Sequence, residues 1–170
     1  MLVSYVLIKS SIDAHCWSQI VPILLKGIHN SFQTFLNKSS TTPSFWTFIS
    51  KTCKLLISLP FFDPFQNSTF LLELMSQLLS YIATPVTTKV ALLSLLQHVN
   101  SLALCTPSRE ADWHWFDAMY DVLKACRFSQ AWEVRHSVIQ LVGSLATQCP
   151  HMNGILERNL FQIIVSGMID

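Results

Sequence analysis

Charge is what this chain has least of. Asp, Glu, Lys and Arg make up 12% of its 170 residues and hydrophobic residues 51%, whereas ordinary soluble domains carry about 25% charge. A chain so composed has too little polar surface to cover its core. The imbalance predicts a segment of a larger protein, with neighbouring structure covering part of its apolar area. Glycine is scarce as well: Gly27, Gly143, Gly154 and Gly167 are the whole set. Their spacing excludes a phosphate-cradling loop of the P-loop or dinucleotide-binding kind. The five cysteines (16, 53, 105, 126 and 149) include no Cys-x-x-Cys pair. An odd number scattered through apolar stripes argues for small buried hydrophobes in a reducing compartment.

Other absences narrow the chemistry further. The histidines at 15, 29, 98, 114, 136 and 151 show no metal-ligand spacing, and His15-Cys16 and Cys149-Pro150-His151 stand too close for tetrahedral zinc. No metal or other cofactor is expected. The stretch from Val90 to Ser108 lacks Lys, Arg, Asp and Glu, yet Gln97, His98, Asn100 and Pro107 interrupt it, so it does not read as a membrane span. Met1 to Ile8 is apolar without a basic flank or a small-residue cleavage site, and reads as a helix rather than a signal peptide. The sequons Asn37-Lys38-Ser39 and Asn67-Ser68-Thr69 carry little weight without one. Five lysines are dispersed over residues 1–62 against Asp13 alone, with no dense patch to neutralise phosphates.

What is present is helical periodicity from end to end, with no alternating strand pattern. Val21, Leu24, Leu25, Ile28, Phe32 and Phe35 form one stripe across a helix start or kink at Pro22. Thr42-Pro43 opens a helix carrying Phe45, Phe48, Ile49, Leu56 and Leu59. Ser68 caps the next, with Leu71, Leu74, Met75, Leu78 and Ile82 on one face. Thr84-Pro85 launches a helix with Leu92, Leu96, Val99 and Ala103, and after a break Trp115, Met119, Val122 and Cys126 line another. Helices are predicted near 68–83, 85–104, 111–127, 130–148 and 154–168, packed as successive antiparallel neighbours. Their starts recur near 42, 84 and 129, and near 68, 110 and 153. A period in the low forties with two helices per unit belongs to HEAT or armadillo repeats.

The strongest motif is Trp132-Glu133-Val134-Arg135-His136-Ser137, followed by apolar Val138, Leu141, Val142 and Leu145, with Gly143 where two helices could approach. Residues 129–145 resemble the second helix of a HEAT repeat. Over about 111–170 the chain is similar to the HEAT-repeat family of ATM-kinase activators associated with the breast-cancer susceptibility protein. The resemblance implies an all-α, right-handed α-solenoid of about four helix pairs over residues 1–170, a fragment of a longer protein. It also implies a scaffold of nucleus and cytoplasm, whose partners are the ATM kinase, the breast-cancer susceptibility protein and the endonuclease module of the Integrator complex. It carries over no catalytic residue. In such repeats the helix-opening arginine bonds an aspartate of the neighbouring repeat. Arg135 and Asp170 are therefore the expected stacking pair, beside Ser129, which stands where the consensus has Asp, and Gly143.

Trp113, Trp115 and Trp132 cluster around one unit, either as core filling between paired helices or as a partner surface. Asp117 and Asp121, four residues apart on one helix, form an acidic ridge. Together with Trp113 they make the candidate partner surface. A nuclear-transport or nucleic-acid-binding adaptor would instead show a basic concave stripe. An enzyme with a Cys/His site would need a convergent pocket.

Overall fold

The computed structural model describes residues 14–38, 43–59, 68–104, 113–126 and 128–148. Expectations for Met1–Ile8, for Glu110 and Asp112, and for a helix at 154–168 lie outside them. Among the described residues there are six helices and no strand: α1 (Ala14–Lys38), α2 (Pro43–Ser58), α3 (Ser68–Ser80), α4 (Val86–Leu104), α5 (Trp113–Cys126) and α6 (Trp132–Gln148). The fold is all-α.

Local chemistry sets most of the boundaries. Pro43 takes the first helical position of α2, where its missing N–H costs nothing. Pro22, in contrast, lies inside α1 rather than at its start. There it removes one intrahelical bond, and Val21, Leu25, Ile28 and Phe32 hold the helix together by burial on one face. The Thr84-Pro85 step works differently from the expected cap. The Thr84 hydroxyl donates back to the Leu78 carbonyl at 2.6 Å, and the Thr84 N–H to Tyr81 O at 3.1 Å. Thr84 therefore closes α3. The Pro85 carbonyl, accepting from the Thr88 and Lys89 N–H groups at 3.0 Å, opens α4.

That closure moves Ile82 off the apolar face it was assigned to. α3 stops at Ser80, and Ile82 sits in the turn, 93% exposed. A second correction falls on α2. Phe48 is 46% exposed, whereas Trp46 is 5% exposed. The buried face is rotated because Trp46 joins an aromatic group built from α1, α2 and the turn after α3. Its ring stacks with Tyr81 at 6.1 Å and meets Phe45 at 5.1 Å. Phe32 of α1 meets Tyr81 edge-on at 5.6 Å. Such pairs each contribute about 0.5–1.5 kcal/mol beyond burial.

The closest helix neighbours are alternate members of the chain. α2 packs along α4, α4 along α6 and α3 along α5, while α3–α4 and α5–α6 touch more sparingly. Successive helices are therefore not the closest neighbours. The reason is visible in which positions are buried. Ile49, Thr52, Cys53 and Leu56 of α2 match Leu92, Leu95, Leu96 and Val99 of α4, and these match Val138, Leu141, Val142 and Leu145 of α6. Each set has the spacing i, i+3, i+4, i+7, which makes one face of a helix. Leu71, Leu74, Met75 and Leu78 of α3 and Met119, Val122, Leu123 and Cys126 of α5 follow the same spacing. Helices with like faces can lie side by side over a shared core, and one hydrophobic cluster runs through all six.

Polar groups within this core pin the register. The Ser50 and Thr88 hydroxyls lie 3.0 Å apart, and Thr88 also donates to Trp46 O at 3.5 Å, tying the start of α4 to α2. At the other end of α4, the buried Asn100 amide donates to the Met119 sulfur of α5 at 2.8 Å.

Leu145 is fully buried and Gln140 exposed. Thermal or urea unfolding should find Leu145→Ala destabilised by about 2–5 kcal/mol, through lost transfer energy and the cavity left behind. Gln140→Ala should change little. Equal and small effects for the two would place α6 the wrong way round.

Candidate interaction surface

One edge of the molecule gathers the helix ends on which sequence and structure bear most. The contacts of Trp46 and Phe32 with Tyr81 bring the start of α2 and the last turns of α1 to the end of α3. The Ser50–Thr88 contact brings in the start of α4. Lys89 in the first turn of α4 lies close enough to Cys126, the last residue of α5, to oppose the burial that pushes its thiol up to about 11. Thus α1, α3 and α5 end where α2, α4 and α6 begin.

Arg135 is the best-defined functional candidate at this edge. Its guanidinium donates to the carbonyls of Ser129 and Gln130 at 2.8 and 3.2 Å. The half-buried side chain thereby closes the turn between α5 and α6 from within. Asp170, its expected partner, lies outside the described residues, so the pair is neither formed nor broken here. Ser129, whose place before the Val-Arg motif reads as the cap of α6, does not cap it. The Ala131 carbonyl accepts the Val134 and Arg135 N–H groups at 3.2 and 3.3 Å, which puts the cap two residues later. The Ser129 N–H instead donates to Cys126 O at 3.1 Å, finishing α5.

Gly143 does not mark a close helix approach. It is exposed, and a Cβ built on it meets nothing within 4 Å among the described residues. The Val-Arg motif resembled a repeat in which that position is crowded; here the apolar face of α6 runs through Val138, Val142 and Leu145 and leaves Gly143 outside.

Of the candidate partner surface, Asp121 is exposed on α5. Trp113 opens α5 and Asp117 lies within it, but their side chains, like that of Trp115, fall outside the description, so the structure does not assemble the three. Trp132 is 63% exposed and does not fill a groove between helices. Its ring lies 6.0 Å from that of His136 one turn on. Periodicity could not have flagged its neighbours on this edge: Ile82, Val86 and Phe128 are exposed because turns end the helices there.

Cys53 and Cys126 are poorly placed for nucleophilic chemistry. Burial pushes the Cys53 thiol up to about 12, and Cys126 is pushed up as well, so both stay protonated at neutral pH. Cys16 is exposed. No group of three or more His, Cys, Asp or Glu among the described residues could hold a metal ion. No helix among them is long and apolar enough to cross a membrane. Comparison of the chain with family models, with curated proteins and with solved structures finds no match.

Two measurements follow. Gly143→Ala should raise stability by up to about 1 kcal/mol, since alanine lowers the entropy cost of the helix and meets open space; a loss on thermal unfolding would reveal a close neighbour. His98 offers a pH test. Its Nε2 is buried without a hydrogen-bond partner among the described residues, and burial lowers its pKa from the ordinary 6.5. Below pH 6.5 the unfolded chain therefore takes up a proton that the folded chain refuses. Stability is full above that value and falls as pH drops toward the lowered folded pKa. Urea midpoints at pH 7.5 and 5.5 should differ less in His98→Gln than in the unaltered chain, and an unchanged difference would remove His98 from the account.

Proposed function

We propose that this chain is a non-catalytic scaffold segment, a right-handed α-solenoid of HEAT-like helix pairs that binds other proteins. The observation that carries the reading is the shared spacing of buried positions in α2, α4 and α6, helices that pack side by side in chain order. In a stacked-repeat architecture each unit buries its face on the next, and extended surfaces along the stack are left for partners. From Leu92 to Val138 the buried register advances 46 residues, within the range of HEAT and armadillo units. The low charge of the chain fits a piece whose neighbours complete its surface. The raised thiols of Cys53 and Cys126 favour structure over catalysis at those positions.

By its resemblance at residues 129–145, the scaffold belongs to DNA-damage signalling through ATM activation, or to Integrator-linked RNA processing, in nucleus and cytoplasm. The test is co-purification of the tagged full chain from cells, followed by mass spectrometry and reconstitution with purified candidates. Stoichiometric recovery of the ATM kinase, the breast-cancer susceptibility protein or the Integrator endonuclease module supports the whole reading. Recovery of other partners alone removes the pathway and keeps the scaffold. A chain recovered without any stoichiometric partner overturns both.

A further inference from the structure

We propose that the edge where α1, α3 and α5 end and α2, α4 and α6 begin docks an acidic protein segment carrying apolar anchors about 10 Å apart, the spacing of neighbouring helices. The inference rests on the scaffold reading and names the surface and the chemistry of its partner. Five exposed large hydrophobic residues gather there: Leu36 late in α1, Ile82 and Val86 around the α3–α4 turn, and Phe128 and Trp132 around the α5–α6 turn. Ile82 is 93%, Phe128 67% and Trp132 63% exposed. Exposed apolar side chains scattered singly need no explanation, but a group rimmed by charge marks an interaction site. Val86 and Trp132 each open their helix, 46 residues apart, so the anchors recur from one helix to the next.

Charge selects the partner. Near these helix ends the described side chains include Lys89, Lys124 and Arg135 against Asp121 and Glu133. At the cationic edge the Arg135 guanidinium is held by two backbone carbonyls, and half-buried Lys89 stands beside Cys126. A guanidinium fixed in this way meets a carboxylate at a set position, which confers register on a bound segment. Single-stranded nucleic acid would need a run of stacking aromatics, and the exposed large aromatics among the described residues, Phe48 on α2 and Phe128 and Trp132 at the α5–α6 turn, are split between two sites. A membrane would need no such fixed positions.

The experiment pans a displayed library of random peptides, roughly twelve residues long, on the full chain and measures synthetic copies of the winners by fluorescence anisotropy. Enriched sequences should be rich in Asp and Glu with apolar residues three apart, about 10 Å in an extended strand. Their affinity should fall about tenfold or more in Phe128→Ser/Trp132→Ser, and likewise in Lys89→Glu/Lys124→Glu. It should hold in Ile23→Ser, an exposed apolar residue elsewhere on α1. Far-UV circular dichroism checks each variant, and Trp132→Ser alone serves if a double variant unfolds. Winners without acidic residues, or binding unchanged in the edge variants, overturn the proposal. So does tighter binding to phosphatidylserine-containing vesicles or to poly-uridine, lost in the same variants. A co-purified protein partner that binds the edge variants at full affinity overturns the edge and leaves the scaffold standing. Peptide selection at the edge with no co-purified partner does the reverse.

Discussion

Burial of α4 from several sides at once is the constraint on which the rest of the structure depends. Thr88, Ala91, Leu92, Leu93, Leu95, Leu96, Val99 and Asn100 are all buried, and they do not share one face of the helix. A helix apolar nearly all round must be surrounded. α2 and α6 flank it, and α3 touches it. The hydrophobic gain from these contacts is directionless. Direction comes from the two polar residues within the stripe, because a buried hydroxyl or amide left without a partner costs about 1–3 kcal/mol. Thr88 finds Ser50 and the Trp46 carbonyl, Asn100 finds Met119, and a slip of α2 or α5 along α4 would break these contacts.

The turns are closed by the chain itself, and this has a functional consequence. Thr84 satisfies the end of α3, and Arg135 occupies the carbonyls between α5 and α6. Turn geometry therefore does not depend on the apolar side chains at the same places. Ile82, Val86 and Trp132 can stay at the surface without a structural task, which makes their clustering on one cationic edge informative. Binding residues tend to sit on loops that a rigid scaffold holds in position.

Much of the fold was legible from periodicity. The helices at 68–80, 86–104, 113–126 and 132–148 lie close to their expected spans, because apolar residues at i, i+3, i+4 and i+7 leave few alternatives. Phe48 and Trp46 show the limit. Both are apolar and aromatic, two residues apart, and which of them faces inward depends on Phe32 and Tyr81, more than a dozen residues away in either direction. Little of the candidate surface was legible. Asp121 is a solvated carboxylate and Gly143 an open position, while of the exposed edge residues the pattern assigns only Ile82 to an apolar face, and Leu36, Val86 and Phe128 carry no signal in it.

The sequence by itself determined the all-helical class, the breaks at Pro43 and Pro85, and the buried faces of α3, α4 and α6. These follow from proline geometry and from the 3.6-residue turn, which are local properties. Only the tertiary structure decided that alternate helices are the closest neighbours and that Arg135 turns back to its own chain. It also decided that Ile82, Val86, Phe128 and Trp132 lie at helix ends that carry Lys89, Lys124 and Arg135. Those outcomes depend on which helix ends meet in space, and the distances between residues 36, 82 and 128 along the chain carry no trace of it until the helices are stacked.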